Sequence, residues 1–256
     1  MRIIRVEHGG TSYYGILEDG LVFRLHQQPG HMEPIPLSEA KVLPLVTPSK
    51  VVCVGLNYKA HAEELGYPLP NMPSFFLKPP SSIIGNGEPI VLPSGMGRIE
   101  HEAELAMVVG KVCRNLTPEE AEESLFGFTC ANDVTAREVQ KVDPLIGHCK
   151  SYDTFCPIGP WIETELEDIN DLSIRCLVNG EVRQSANTGD MIFRPLDLLC
   201  FLSRVMTLMP GDVILTGTPP GISPIQADDV VQVSIEGIGT LSNPVEGLGP
   251  EEKILQ

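Results

Sequence analysis

Two glutamates, Glu102 and Glu104, stand two residues apart at the start of an apolar, strand-like run that ends at Gly110. Side chains at positions i and i+2 of a strand share one face, so their Cα atoms would lie roughly 6.6 Å apart. Two carboxylates that converge on one half-buried point repel each other by about 4 kcal/mol at ~4 Å and an effective dielectric of roughly 20. Because a bound cation removes this cost, the spacing predicts a cation site.

A third carboxylate, Asp133, follows the apolar run 126–131 and precedes a predicted helix start. Three carboxylates suit Mg²⁺ or Mn²⁺ in octahedral geometry and leave about three positions for water and a chelating substrate. Zinc is disfavoured because the chain has no Cys-x-x-Cys pair, and the segment 101–105 lacks the second histidine of a zinc-binding helix. The alternative for the two glutamates is a solvated position on an edge strand.

His61 and Glu64 are three residues apart on a predicted short helix, ahead of a Gly- and Pro-rich segment. A carboxylate bonded to one imidazole nitrogen fixes the tautomer and raises the basicity of the other nitrogen, which is the arrangement that activates water. The alternative is a solvent-facing helix with a passive histidine.

Arg137 and Gln140 share a face near the start of another predicted helix, where both can donate to an anionic substrate or an oxyanion. The alternative is an exposed helix on which Arg137 pairs with Glu138 or Glu122.

Three more polar side chains are candidates for substrate contacts. Lys150 and Lys78 could each stabilise a carboxylate or a developing enolate. Thr218 lies in the Gly- and Pro-rich turn 217–221, whose hydroxyl and backbone N–H groups could hold a carboxylate. The alternatives are ordinary surface lysines and a connecting turn.

The elements that must position these groups are mostly strands. Residues 1–48 alternate short β-prone runs with turns such as Asp19-Gly20, a strong hairpin signal, and end in an extended Pro-rich connector from Pro29 to Pro48. We expect a small N-terminal β-rich domain at 1–48 and a catalytic domain at 49–256.

The larger part reads as a β-rich α+β domain with three or four helices. One short helix has Asn57 as its predicted N-cap and Gly66 as its stop. Capping boxes are predicted at Thr117 and Thr135, and a longer helix at 195–206. The pattern is no alternating βαβ array and contains no dinucleotide, P-loop or nucleophile-elbow motif.

The composition excludes several classes of partner. A formal charge of −16 and a pI near 4.7 argue against nucleic acid or an anionic membrane as partner. The N-terminal residues lack the apolar core of a signal peptide, and no apolar run approaches the ~18 residues of a membrane span. We therefore expect a soluble, cytoplasmic protein.

Seven cysteines with scattered spacing fit a reducing compartment, so disulfides are not expected. Cys149 and Cys156 flank the segment 150–153 near the candidate site, and either could be a nucleophile. The more common role is packing.

Taken in order, the motifs of residues 50–245 closely resemble the fumarylacetoacetate hydrolase family. The matching segments are Val54-Gly55-Leu56-Asn57-Tyr58 with His61 and Glu64, Phe75-Phe76-Leu77-Lys78-Pro79, His101-Glu102-Ala103-Glu104-Leu105, Asn132-Asp133-Val134-Thr135-Ala136-Arg137, Lys150-Ser151-Tyr152-Asp153-Thr154-Phe155 and Leu215-Thr216-Gly217-Thr218-Pro219.

The resemblance implies a mixed β-roll with short helices, a homodimer, and Mg²⁺ or Mn²⁺ on Glu102, Glu104 and Asp133. It also implies that His61 and Glu64 form a water-activating dyad on a lid. Further substrate or oxyanion contacts are implied at positions Lys150, Arg137, Gln140 and Thr218. The chain departs from the family pattern at 145–149, where Leu-Ile-Gly-His-Cys replaces the usual Trp followed by polar or basic residues.

We therefore expect a metal-dependent hydrolase or decarboxylase that cleaves a carbon–carbon bond in a small 2-oxo acid of the acylpyruvate or oxaloacetate type. The acid would chelate the ion, Lys150 would help neutralise the enolate, and His61 with Glu64 would activate water. The alternative is an isomerase or tautomerase of 2-oxo or 2-hydroxydienoic acids, such as 2-hydroxyhepta-2,4-diene-1,7-dioate. A catalytically idle binding module is a rival of another class.

Overall fold

The computed structural model describes residues 1–25 and 33–248. Strands β1 to β19 are, in chain order, Arg2–His8, Thr11–Glu18, Leu21–Arg24, Ile35–Pro36, Lys41–Val42, Val51–Gly55, Ser74–Lys78, Ile83–Ile84, Ile90–Leu92, Ile99–Glu100, Ala103–Val109, Leu125–Asn132, Thr135–Ala136, Cys156–Glu163, Ser173–Val178, Glu181–Asn187, Val213–Leu215, Val230–Ile235 and Gly239–Gly247. Helices α1 to α5 are Lys59–Leu65, Pro118–Ser124, Arg137–Gln140, Gly147–Lys150 and Pro195–Val205. Short 3₁₀ turns lie at Leu37–Glu39, Pro80–Ser82 and Thr188–Asp190.

Most strands belong to two sheets. The larger sheet has twelve strands, and its central part runs β1-β14-β12-β11-β17-β6-β7. The smaller sheet runs β16-β15-β18-β19-β9 and packs on the larger one through β12 and β14. Strands β10 and β13 form a separate two-stranded ladder beside the larger sheet. This architecture confirms the predicted β-rich fold with a few short helices.

The N-terminal strands continue the larger sheet. The turns at 9–10 and 19–20 join β1, β2 and β3 as predicted, and β1 then pairs with β14 of the larger part. The predicted connector 29–48 is less extended than expected, because β4 and β5 return to pair with β3 and β1. Its residues 29–32 lie outside the described residues, and the proposed boundary at 48/49 stays a prediction.

Two apolar cores cover opposite faces of the larger sheet. Side chains of β11 alternate between them: Leu105 and Met107 enter the core shared with α5 and the smaller sheet, whereas Ala106 and Val108 enter the core shared with the N-terminal strands. Strand β11 lies between β12 and β17 and is buried on both faces, which is why its sequence reads as a continuous apolar run.

All seven cysteines are buried and free, as expected. Burial raises the pKa of Cys149 to about 11 and that of Cys156 to about 12, and the nearby Asp133 carboxylate adds to both shifts. A thiol that stays protonated is a poor nucleophile, so both cysteines serve as packing residues.

Two predicted helix ends are confirmed. Helix α1 ends at Gly66, which adopts a left-handed conformation with φ 70°. Helix α2 begins with the predicted capping box, in which Thr117 accepts from Glu120 N while the Glu120 side chain accepts from Thr117 N. Helix α5 ends one residue before the predicted position.

The other two predicted caps are wrong. The amide of Asn57 bonds instead to the backbone of Phe193 and Thr216, and Tyr58 occupies the N-cap position of α1 without a side-chain bond. Thr135 lies in β13, where its hydroxyl bonds to Asp133 O and Glu102 Oε1. Both polar side chains are buried and bond to groups that a local capping rule does not consider.

In the two described ranges, no helix is both long enough and apolar enough to cross a bilayer.

Candidate active site

The register of β11 and β12 brings the three predicted metal ligands together. Glu104 lies opposite Ala131, and the ladder continues past Ala103–Asn132 with a bond from Asp133 N to Glu102 O at 2.9 Å. One carboxylate oxygen from each of Glu102, Glu104 and Asp133 lies within 4.8 Å of the others, and all three residues are buried. The edge-strand alternative for the glutamates is therefore wrong.

Two buried lysines neutralise Asp133. Lys150 Nζ donates to Asp133 Oδ2 at 2.6 Å and to Glu102 Oε2 at 2.7 Å. Lys78 Nζ donates to Asp133 Oδ1 at 2.5 Å and to Phe155 O at 2.6 Å. Burial alone would lower the pKa of Lys150, but the carboxylates of Asp133 and Glu102 more than offset this effect and raise it.

Glu104 is the carboxyl group without a cation. No ion pair involves it among the described residues, and its Oε2 accepts a bond from Gly217 N at 2.5 Å. Burial raises its pKa well above the usual range, and the neighbouring Asp133 and Glu102 carboxylates raise it further. An all-oxygen cluster with one uncompensated carboxyl fits a hard divalent cation, so the residues present suit Mg²⁺ or Mn²⁺.

Glu102 forms ion pairs with a guanidinium as well as with Lys150. Arg137 donates Nη2 to Glu102 Oε1, Nε to Glu100 Oε2 at 2.5 Å and Nη1 to Gln140 Oε1 at 2.8 Å. Burial raises the pKa of Glu102, but Lys150 and Arg137 more than offset it, so the pKa lies below the usual range. The predicted alternative partners of Arg137, Glu138 and Glu122, are not its partners.

Helix α1 presents a hydrogen-bonded histidine and glutamate. His61 Nδ1 lies 2.8 Å from Glu64 Oε2, and His61 is only 5% exposed, unlike a passive surface histidine. Glu64 Oε1 also accepts from Gly221 N at 3.0 Å, which ties the helix to the turn 217–221. When Nδ1 donates to the carboxylate, Nε2 is left as the basic nitrogen.

These groups line one cavity of about 620 Å³. Eight of the ten predicted site residues are on its wall, namely His61, Glu102, Glu104, Asp133, Arg137, Gln140, Lys150 and Thr218. Glu64 is not on the wall but contacts His61, which is. Lys78 is absent from this wall, because its fully buried ammonium lies on Asp133 and backbone carbonyls. We therefore assign Lys78 to holding Asp133, and its predicted substrate contact is not supported by its position.

Thr218 is held from two sides. Its hydroxyl donates to Ala103 O at 2.9 Å and accepts from Gln184 Nε2 at 2.8 Å. Gln184 Oε1 in turn accepts from Ala103 N and contacts His101 Nδ1. Because the hydroxyl proton already has an acceptor, any donation from Thr218 to a substrate would come from its backbone.

Sequence reasoning assigned no role to Arg98 and Glu100, two charged residues of this cavity wall. Glu100 is fully buried and joins the two arginines, with Oε1 accepting from Arg98 and Oε2 from Arg137. The signal that could have found them is the two-residue alternation of Arg98, Glu100, Glu102 and Glu104.

Residues 50–246 match a family model described as "Fumarylacetoacetate (FAA) hydrolase C-terminal", and residues 1–44 match one described as "Rv2993c-like, N-terminal". A human mitochondrial oxaloacetate tautomerase is 42% identical over 225 residues, covering 82% of this chain and 71% of the relative.

Two solved structures are similar over nearly the whole chain. The 5-carboxymethyl-2-hydroxymuconate delta-isomerase of Mycobacterium smegmatis is 42% identical with a TM-score of 0.90, covering 97% of this chain and 100% of that one. The maleylpyruvate hydrolase of Sphingobium sp. SYK-6, in complex with manganese(II) and pyruvate, is 30% identical with a TM-score of 0.82 at the same coverage.

Proposed function

The chain belongs to the fumarylacetoacetate hydrolase family, and from this membership we propose that it is a metal-dependent isomerase or tautomerase of a small 2-oxo acid. Sequence alone favours carbon–carbon cleavage and keeps isomerisation as the alternative. The relatives support the alternative better, because the tautomerase and the delta-isomerase are each 42% identical to this chain, against 30% for the maleylpyruvate hydrolase.

The observation that carries the proposal is the meeting of a carboxylate cluster and a basic histidine in one cavity. Keto–enol exchange requires one group to take a proton from the carbon beside the carbonyl and others to neutralise charge on the carbonyl oxygen. Both kinds of group are on the wall. Mg²⁺ or Mn²⁺ held by Glu102, Glu104 and Asp133 would supply Lewis acidity toward the carboxylate and 2-oxo oxygens of the acid.

In the proposed reaction His61 Nε2 takes the proton from C3 of the acid, while Glu64 holds Nδ1–H and stabilises the imidazolium. The C3–H electron pair becomes the C2–C3 double bond while the carbonyl π pair moves onto the 2-oxo oxygen, and the His61 imidazolium then gives its proton to that oxygen to form the enol. Lys150 and Arg137, whose raised pKa values keep them charged, offset the negative charge that develops on that oxygen. The reverse sequence returns the proton to carbon.

Hydrolysis is the second candidate function. The 2.8 Å contact between His61 and Glu64 is also the arrangement that would activate water against a distal carbonyl. Decarboxylation of oxaloacetate needs the same charge neutralisation but not the base.

The test follows the enol absorbance of oxaloacetate and, in parallel, the release of pyruvate from acetylpyruvate, with Mg²⁺ or Mn²⁺ and with a chelator. We expect fast interconversion of the enol and keto forms without pyruvate release.

His61→Gln should slow this exchange by about 10²- to 10⁴-fold. The control is His8→Gln, a histidine of β1 that contacts Glu39 O outside the cavity.

Pyruvate release faster than interconversion would favour the hydrolase. Full activity in His61→Gln would remove the dyad from the mechanism. The homodimer implied by the family resemblance stays a prediction.

A further inference from the structure

A ladder of alternating charges runs from the rim of the cavity to the carboxylate cluster. Arg98 donates to Glu100 Oε1, Glu100 Oε2 accepts from Arg137, and Arg137 donates to Glu102. The Arg98 side chain is 54% exposed, that of Arg137 13% and that of Glu100 0%. Arg98 is therefore the solvent-exposed end of this ladder, and the buried carboxylate of Glu100 restrains its guanidinium.

The backbone holds this end of the ladder in place. Strand β10 pairs with β13, and Arg137 N donates to Arg98 O at 2.8 Å where α3 begins. The Arg98 guanidinium also uses both Nε and Nη2 on the same oxygen of Glu100. An arginine restrained at both backbone and side chain loses less conformational entropy when it binds an anion.

The summed charge of the site favours the binding of a dianion once a divalent cation is present. Four cations face four carboxylates: Lys78, Arg98, Arg137 and Lys150 against Glu100, Glu102, Glu104 and Asp133. Lys141 and Glu138, the other charged pair of the cavity wall, compensate each other, and His61 is the neutral base of the proposed reaction, bonded to Glu64 outside that wall. A divalent cation added to this balanced set leaves two positive charges, the charge that a dicarboxylate neutralises.

We propose that Arg98, positioned by Glu100, binds the distal carboxylate of the substrate and makes the enzyme selective for 2-oxo dicarboxylic acids over monocarboxylic ones. This inference rests on the proposed function, according to which the reacting end of the substrate lies at the carboxylate cluster. The distal carboxylate then meets the guanidinium at the rim, and charge-assisted hydrogen bonds supply the discrimination.

The experiment measures binding without turnover. The Mn²⁺-loaded protein is titrated calorimetrically with L-malate and with 2-hydroxybutyrate, two 2-hydroxy acids of equal chain length that differ by a distal carboxylate in place of a methyl group. We expect the unmodified protein to prefer L-malate by about 10-fold or more. Arg98→Met should weaken L-malate binding about 10- to 100-fold, the loss expected for a charge-assisted hydrogen bond, and leave 2-hydroxybutyrate within about twofold.

Two further variants separate a direct contact from general electrostatics. Lys141→Met removes another cation of the same cavity wall, one that is paired with Glu138, and should weaken L-malate binding less than about threefold. Arg98→Lys keeps the positive charge but not the planar guanidinium. Its affinity for L-malate should lie between those of the unmodified protein and Arg98→Met.

Equal binding of the two acids by the unmodified protein would overturn the inference. Equal losses for both acids in Arg98→Met, or the same loss in Lys141→Met, would also overturn it. A protein that discriminates the acids through Arg98 but does not interconvert oxaloacetate would instead refute the proposed function and leave the dicarboxylate site standing.

Discussion

At the scale of single residues, the site is a set of buried charges that depend on one another. Asp133 is neutralised by two ammonium groups and Glu102 by an ammonium and a guanidinium, whereas Glu104 receives only a backbone N–H. Three carboxyls so close together in a low dielectric cannot all ionise without more positive charge. The proton on Glu104 is therefore the one that a metal ion must displace.

This displacement predicts that Mn²⁺ affinity depends on pH. Burial and the carboxylates of Asp133 and Glu102 raise the pKa of Glu104 well above the usual range of a glutamate, so the ion-free carboxyl holds a proton at pH values between that range and the raised pKa. Binding releases this proton, and the apparent affinity should rise about tenfold per pH unit in that window. Calorimetric titrations with Mn²⁺, in two buffers of different ionisation enthalpy, measure both the slope and the proton released.

Glu104→Gln should bind Mn²⁺ more weakly and lose most of the slope. An affinity that does not change with pH in the unmodified protein would contradict the raised pKa, and no uptake of Mn²⁺ or Mg²⁺ at any pH would contradict the metal site itself.

At the scale of elements, helix α1 is short and depends on both of its ends. At its start Asn57 binds the backbone at Phe193 and Thr216, and at its end Gly66 turns the chain in a left-handed conformation. The helix holds His61, and the residues on either side of Gly66, Leu65 and Tyr67, line the cavity. The geometry of the cavity wall therefore depends on this turn.

Gly66→Ala is expected to lower the free energy of unfolding by about 1 kcal/mol, because an L-residue with a Cβ is strained at φ 70°. No atom lies within 4 Å of the added Cβ, so the loss would come from the backbone alone. The matched control is Gly147→Ala, where the surroundings are equally open and φ is not positive. Urea unfolding of both variants makes the comparison, and equal stability would refute the strain.

At the scale of the whole molecule, the N-terminal strands are part of the same packing as the catalytic region. Strand β1 pairs with β14, and Ile3, Ile4 and Val6 enter a core that also contains Val51 and Ile162. Burial of each such side chain contributes about 1.5–3 kcal/mol. A sequence boundary near residue 48 thus does not imply two independently stable units.

Residues 49–256 expressed alone should therefore unfold at a clearly lower urea concentration than the full chain or precipitate, because the edge of β14 and one apolar core are uncovered. Adding residues 1–48 as a separate chain should restore part of the loss. A fragment that remains monomeric with the unfolding midpoint of the full chain would contradict this expectation.

The sequence by itself determined the features that depend on neighbours in the chain. The two-residue spacing of Glu102 and Glu104 placed both carboxylates on one side, the three-residue spacing of His61 and Glu64 allowed their contact, and the Thr117 box and Gly66 marked helix ends. Local sterics and hydrogen bonds within one turn or one strand fix such features, and they are visible in a pattern of a few residues.

Only the tertiary structure decided which distant groups these side chains meet. Asn57 bonds to a residue 136 positions away, Lys78 to an aspartate 55 positions away, and Arg137 to Glu102 across 35 positions. Such partners follow from strand register and sheet packing, which bring together segments whose local sequences contain no information about one another. For this reason two caps and the position of Lys78 were beyond the reach of the pattern, while the shared side of Glu102 and Glu104 was not.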